Sequence, residues 1–184
     1  MNIAGGILRL LGWKVVSDFS NIPKSLIIMA PHTAYRDAIY GKLALHSVGV
    51  KTRLLTYYEY FFFPLNIFLK IIGCVPVGGK GHNAINEAVA ILKSDNKYHL
   101  VICPEGQLAP TDHWNPGFYY MAAKAEVPIV VGYLDYKKKE AGIKTVITDT
   151  SDKDAVLKIV SESYNSVTGK YPEKFLTPKT ISGK

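Results

Sequence analysis

The apolar residues of this chain come in short blocks closed by residues that end regular structure, and these blocks alternate with segments of helical period. Ser25-Leu26-Ile27-Ile28-Met29 lies between Pro23 and Pro31. His99–Cys103 runs into Pro104, and Val127–Leu134 into a charged turn. Runs this short and this rich in Val, Ile and Leu read as strands buried on both faces. Thr52–Tyr57, Cys74–Val77 and Ile143–Ile147 read as further strands. Between them, Tyr35–Val48 reads as a helix stopped by Gly49. Ala84–Lys93 places apolar residues at 85, 88, 89 and 92, and Asp154–Tyr164 at 155, 156, 159 and 160, both helical spacings. Phe118–Ala125 reads as a small-residue helix, and Phe61–Ile72 as helical after Pro64. Strands alternating with helices predict a single α/β layered domain with a mostly parallel central sheet flanked by helices.

Ile3–Leu11 has apolar residues at 3, 7, 10 and 11, the stripe of an amphipathic helix. Trp13 follows it, where an interfacial anchor would sit. The expected organisation is a membrane-docking segment over residues 1–20, a folded domain over 21–170 and a mobile tail over 171–184. A spanning helix needs about 18 uninterrupted apolar residues. Ile3–Val16 contains Arg9 and Lys14, and Phe61–Val77 is broken by Pro64, Asn66 and Lys70. The start has neither a basic n-region nor an A-x-A cleavage site, so no secretory leader is expected.

The net charge is +7 and unevenly placed: residues 1–80 hold nine Lys/Arg against three acids. The basic excess thus shares its segment with the aromatic cluster Tyr57, Tyr58, Tyr60 and Phe61–Phe63, which is too dense to face the core throughout. That combination suits an anionic membrane surface and predicts peripheral attachment at the cytoplasmic face. A nucleic-acid partner is not expected, since only three of the 22 basic residues are Arg and no nucleic-acid-binding motif occurs. Lys137-Lys138-Lys139 reads as a solvated turn. Cys74 and Cys103 have no metal-binding or redox spacing, and no metal site is expected. Gly78-Gly79-Lys80-Gly81 fails the phosphate-loop pattern at positions 74 and 81.

In α/β folds chemistry sits in the loops after strand C-termini. Two such loops stand out. The first, Pro31-His32-Thr33-Ala34-Tyr35-Arg36-Asp37, places a histidine five residues before an aspartate. With a helix starting near Thr33, the Asp37 carboxylate can point back at the loop carrying His32, fix its tautomer and leave the other nitrogen free as a base. The second, Cys103-Pro104-Glu105-Gly106-Gln107, presents a carboxylate that can equally serve backbone N–H groups at a helix start.

In this order and context the residues resemble the glycerolipid acyltransferase family, whose best-known members are 1-acylglycerol-3-phosphate acyltransferases. The family's His-x-x-x-x-Asp matches His32 and Asp37. Its block of an apolar stretch with Pro followed by Gly-x-x-x-Val/Ile is similar to Pro64 and Gly73–Val77. Its Phe-Pro-Glu-Gly-Thr-Arg is similar to Cys103–Leu108, and its Val-Pro-Ile-Val is found at Val127–Val130. The chain departs from the family where arginines hold the acceptor's phosphate, carrying Gly79 and Leu108 at those places.

The resemblance implies an O-acyltransferase. His32 would deprotonate an acceptor hydroxyl, which attacks an acyl thioester directly, and Asp37 would orient His32 and stabilise its imidazolium. Pro104, Glu105, Gly106 and Gln107 would shape the acceptor site, with Lys80 and Arg36 as the available cations. The implied partners are an acyl donor (acyl-coenzyme A or acyl-carrier protein), a lipid acceptor and a membrane surface, with no cofactor beyond the acyl cosubstrate. Two alternatives stand beside a lysophospholipid acceptor: a non-phosphate acceptor such as an amino- or glycolipid, or a catalytically silent lipid-binding module.

Overall fold

The computed structural model describes residues 2–17, 19, 22–94, 97–178 and the backbone of 180–181. The elements run α1 (Ile3–Leu10), β1 (Lys14–Val16), β2 (Leu26–Ala30), α2 (Arg36–Ser47), β3 (Thr52–Tyr57), α3 (Leu65–Ile71), β4 (Cys74–Val77), α4 (Ala84–Lys93), β5 (His99–Ile102), β6 (His113–Trp114), α5 (Gly117–Ala125), β7 (Ile129–Asp135), β8 (Glu140–Ile147), α6 (Lys153–Ser163) and β9 (Thr180–Ile181). Short 3₁₀ turns cover Tyr58–Tyr60 and Pro172–Lys174.

The main sheet has seven strands in the order β1-β8-β7-β2-β5-β3-β4. The five from β7 to β4 are mutually parallel, while β8 runs antiparallel to β7 and takes β1 parallel to itself. The expected mostly parallel α/β architecture is therefore present. A hairpin suffices between β7 and β8 because their directions oppose, and Lys137–Lys139 form its turn, with Lys139 at φ 50°.

Strand alternation sorts the core onto the two faces. Leu26 and Ile28 of β2 pack with Leu100, Ile129 and Val131 against α4, α5 and α6. Ile27, Val101 and Val130 point the other way, onto Leu45 of α2 and Phe19. Every residue of β7 is buried, as a central strand covered on both faces requires. This strand begins at Ile129 rather than Val127, because Pro128 has no N–H to give the ladder; its carbonyl instead accepts from Leu26 N at 3.0 Å. Helices α4, α6 and α1 start on side-chain caps. Asn83 accepts from Ile85 and Asn86 N–H, Asp152 from Ala155 N–H, and Asn2 from Gly5 N–H.

Trp13 is not an interfacial anchor. After α1 the chain turns at Gly12 (φ +77°), and the indole is buried in a cluster with Leu8, Ala44 and Leu134. It stacks on Tyr40 at 4.9 Å between ring centroids. Ile3 and Leu10, 85% and 90% exposed, form the open side of α1. The region expected as a tail contains the Pro172–Lys174 turn, and Phe175 packs against Trp114; Lys179 and residues 182–184 lie outside the described residues.

Parallel strands bring their C-terminal ends to one edge. His32 therefore follows β2, Cys103–Gln107 follow β5, Tyr136 follows β7, and Gly78–Gly81 follow β4, all on one side of the sheet.

Candidate active site

Asp37 is the second residue of α2, and its buried carboxylate folds back over the turn that leads into the helix. Oδ2 accepts from the backbone N–H of Thr33 and of Ala34, each at 2.8 Å. Oδ1 accepts from the Tyr136 hydroxyl at 2.5 Å. The carboxylate thereby caps the helix start from inside with Oδ2 on the His32 side. His32 Nδ1 stands 3.5 Å from Oδ2, a close ion contact longer than a hydrogen bond. Among the described residues that nitrogen makes no hydrogen bond within the usual distance. Burial works to lower the ring's pKa from 6.5, but the Cys103 sulfur beside it and Asp37 outweigh burial and raise it.

Glu105 reaches across from the β5 loop and accepts the backbone N–H of His32 on both oxygens, at 2.9 and 3.2 Å. Burial pushes its carboxyl up to about 7, with the His32 N–H and the imidazole pulling the other way. The loop carrying His32 is backed from a third direction. Tyr171 N–H donates to Thr33 Oγ1 at 3.2 Å, and a Cβ at Gly169 would stand 2.9 Å from Thr33 and 3.1 Å from Pro31.

His32 and Asp37 lie on the wall of a cavity of about 320 Å³, within the range of small-ligand sites. Leu45, Leu54, Leu55, Val101, Leu134 and Phe68 make most of its surface apolar, and Gly106, Gln107 and Leu108 border it. The structure thus brings together His32, Asp37, Glu105, Gly106 and Gln107. Pro104 is buried beneath them, its carbonyl accepting from Asn115 N–H at 3.4 Å. Arg36 and Lys80 are exposed and line no part of the cavity. The loop carrying Lys80 lies along Tyr57 and Tyr58, with Gly79 on the Tyr58 ring.

Sequence reasoning missed Tyr136 and Lys42. Lys42 lines the cavity with its ammonium bound to Thr52 O and Oγ1, at 2.5 and 3.1 Å. Its place on α2, five residues after Asp37, was the available signal, but helical spacing does not reveal a cavity.

A model of the family described as Acyltransferase matches residues 15–133, a span that includes both loops. The chain belongs to the acyltransferase family. This acyltransferase is similar in fold to the 1-acyl-sn-glycerophosphate (LPA) acyltransferase PlsC from Thermotoga maritima. The two are 20% identical, with 86% of this chain and 72% of that one covered, at a TM-score of 0.55. No curated protein matches the acyltransferase. Among its described residues, no helix is long and apolar enough to cross a membrane.

Proposed function

We propose that this acyltransferase moves a fatty acyl group from an acyl thioester to a hydroxyl of a lysophospholipid-type acceptor, with His32 as base and Asp37 behind it. The reading is carried by the 3.5 Å contact between His32 Nδ1 and Asp37 on the wall of a mostly apolar cavity. Nδ1 faces the carboxylate, which leaves Nε2 to take the acceptor's proton. The Asp37 carboxylate, which works to raise the ring's pKa, stabilises an imidazolium as the hydroxyl attacks. The alkoxide attacks the thioester carbonyl, the tetrahedral intermediate expels the donor thiolate, and His32 returns the proton to it. Acyl-coenzyme A or acyl-carrier protein serves as cosubstrate.

The test is acyl transfer by purified His32→Ala protein against wild type, following donor consumption and acylated acceptor. A fall of about 10²-fold or more is expected from losing a positioned base. Unchanged turnover would remove the dyad from the mechanism. A protein that only binds lipid would show no turnover in either form.

One observation favours a second reading of the acceptor. Leu108 borders the cavity where the resemblance places a phosphate-binding arginine, and the nearby cations Arg36 and Lys80 are exposed. An acceptor without phosphate, such as an amino- or glycolipid, fits this lining. A panel of lysophosphatidate and non-phosphate acceptors separates the two.

The protein works docked at the cytoplasmic face of a membrane in this reading. Phe63 and Ile71, 78% and 77% exposed, stand beside the exposed Phe62, Ile67 and Phe68 on and before α3. Phe68 also lines the cavity, so a docked patch would set its entrance against the lipid phase. Flotation with anionic liposomes tests this, and absence of co-migration at low salt would count against it.

A further inference from the structure

Tyr136 stands directly after β7, ninety-nine residues from Asp37, and its hydroxyl donates to Asp37 Oδ1 at 2.5 Å. The two backbone N–H groups that also hold this carboxylate both go to Oδ2, the oxygen that faces His32. Tyr136 is therefore the side-chain donor on the opposite oxygen. Its ring has little room to move. Trp13 meets it edge-on at 5.0 Å and Tyr40 at 6.0 Å, the Lys170 ammonium lies 5.8 Å from its centroid, and its backbone N–H donates to Thr168 O at 2.9 Å.

We propose that Tyr136 is a positioning residue for acyl transfer: its hydroxyl pins Asp37 so that Oδ2 is presented to His32 Nδ1, and it withdraws part of the carboxylate's charge from the imidazole. The inference rests on the His32–Asp37 reading above. His32 faces Asp37 from α2 and Cys103 and Glu105 from the end of β5. Tyr136 faces Asp37, Tyr40 and Arg36 from α2, and Lys170 from the segment after α6. Burial, then the bond to Asp37, push the Tyr136 phenol well above its ordinary 10, so it remains an O–H donor throughout the working range.

The sign of the effect follows. Removing the hydroxyl leaves more negative charge on the oxygen facing His32, so the imidazolium is held more tightly. The acidic limb of the rate profile, which reports the neutral base, then moves to higher pH.

The experiment compares wild type with Tyr136→Phe, which keeps the ring among Trp13 and Tyr40. Two readouts are taken: kcat and KM against pH, and the His32 imidazole titration by NMR without substrate. Expected are a kcat loss of about tenfold with KM nearly unchanged, and an upward move of about half a unit to one unit in both the limb and the titration. Fluorotyrosine at 136, a stronger donor of nearly the same shape, moves both downward, and it answers the question even if the phenylalanine variant folds poorly. A His32 titration that is the same in all three proteins overturns the proposal. Full activity in His32→Ala instead overturns the dyad reading, whatever the Tyr136 variants show.

Discussion

The backbone N–H of His32 donates to both oxygens of the Glu105 carboxylate, at 2.9 and 3.2 Å. The pair ties the loop after β2 to the loop after β5 across one strand interface. The carboxylate is buried, and its pKa rises from 4.5 to about 7. A carboxyl whose folded pKa is raised contributes stability that is fully present below its unfolded value and is lost as pH climbs through its folded one. Glu105→Gln keeps an acceptor for the His32 N–H and removes the titration. Urea denaturation at pH 4.5 and pH 8 should show the variant gaining on wild type by up to about 3 kcal/mol at the higher pH. Parallel stability curves would contradict this.

Asp37→Asn separates charge from scaffold. Its carbonyl oxygen can still accept from Thr33 and Ala34 N–H, and its amide can donate to Tyr136, whose hydroxyl turns to accept. The turn into α2 is therefore kept while the negative charge beside His32 is lost. Turnover should drop by about 10²-fold or more, with a stability cost of only about 1 kcal/mol. Thermal unfolding beside acyl-transfer assays decides it, and a misfolded variant or one with wild-type turnover would refute the assignment.

At the far edge of the sheet, Gly142 pairs with Val16 where β1 lies along β8. A Cβ there would strike the Val16 carbonyl and come within 2.9 Å of the Tyr133 ring. Backbone cannot yield as a flexible side chain does, so Gly142→Ala should destabilise the protein by about 1–3 kcal/mol. Amide exchange should show Lys14–Val16 losing protection first. Unchanged exchange in that strand would show that β1 is not held through this contact.

Leu108 borders the cavity. Leu108→Arg supplies a guanidinium fork for phosphate, and a charge-assisted pair contributes about 1.5–3 kcal/mol. The variant should therefore gain at least about tenfold in kcat/KM on a phosphate-bearing acceptor relative to a neutral one. An unchanged acceptor ratio would mean that the headgroup binds elsewhere.

The central strands were legible because they are apolar on both faces, so composition alone marks Ser25–Met29 and His99–Cys103. The His32–Asp37 pairing was legible because five residues and a helix start are local geometry. Tyr136 was not, since its hydroxyl meets Asp37 only after β2 and β7 have paired. Trp13 misled for a related reason. A stripe on a helix shows that a face is apolar, not what covers it, and here Tyr40 and Tyr136 cover the indole. The exposed aromatics before α3 were readable because so dense a run cannot turn every ring inward.

Gly169 packs under Pro31 and Thr33, and Tyr171 holds the Thr33 hydroxyl. A growing polypeptide in which everything up to the fifth parallel strand has emerged from the ribosome still has no floor beneath its imidazole loop. The loop carrying His32 should thus take its final shape only when translation has delivered the stretch around residue 170.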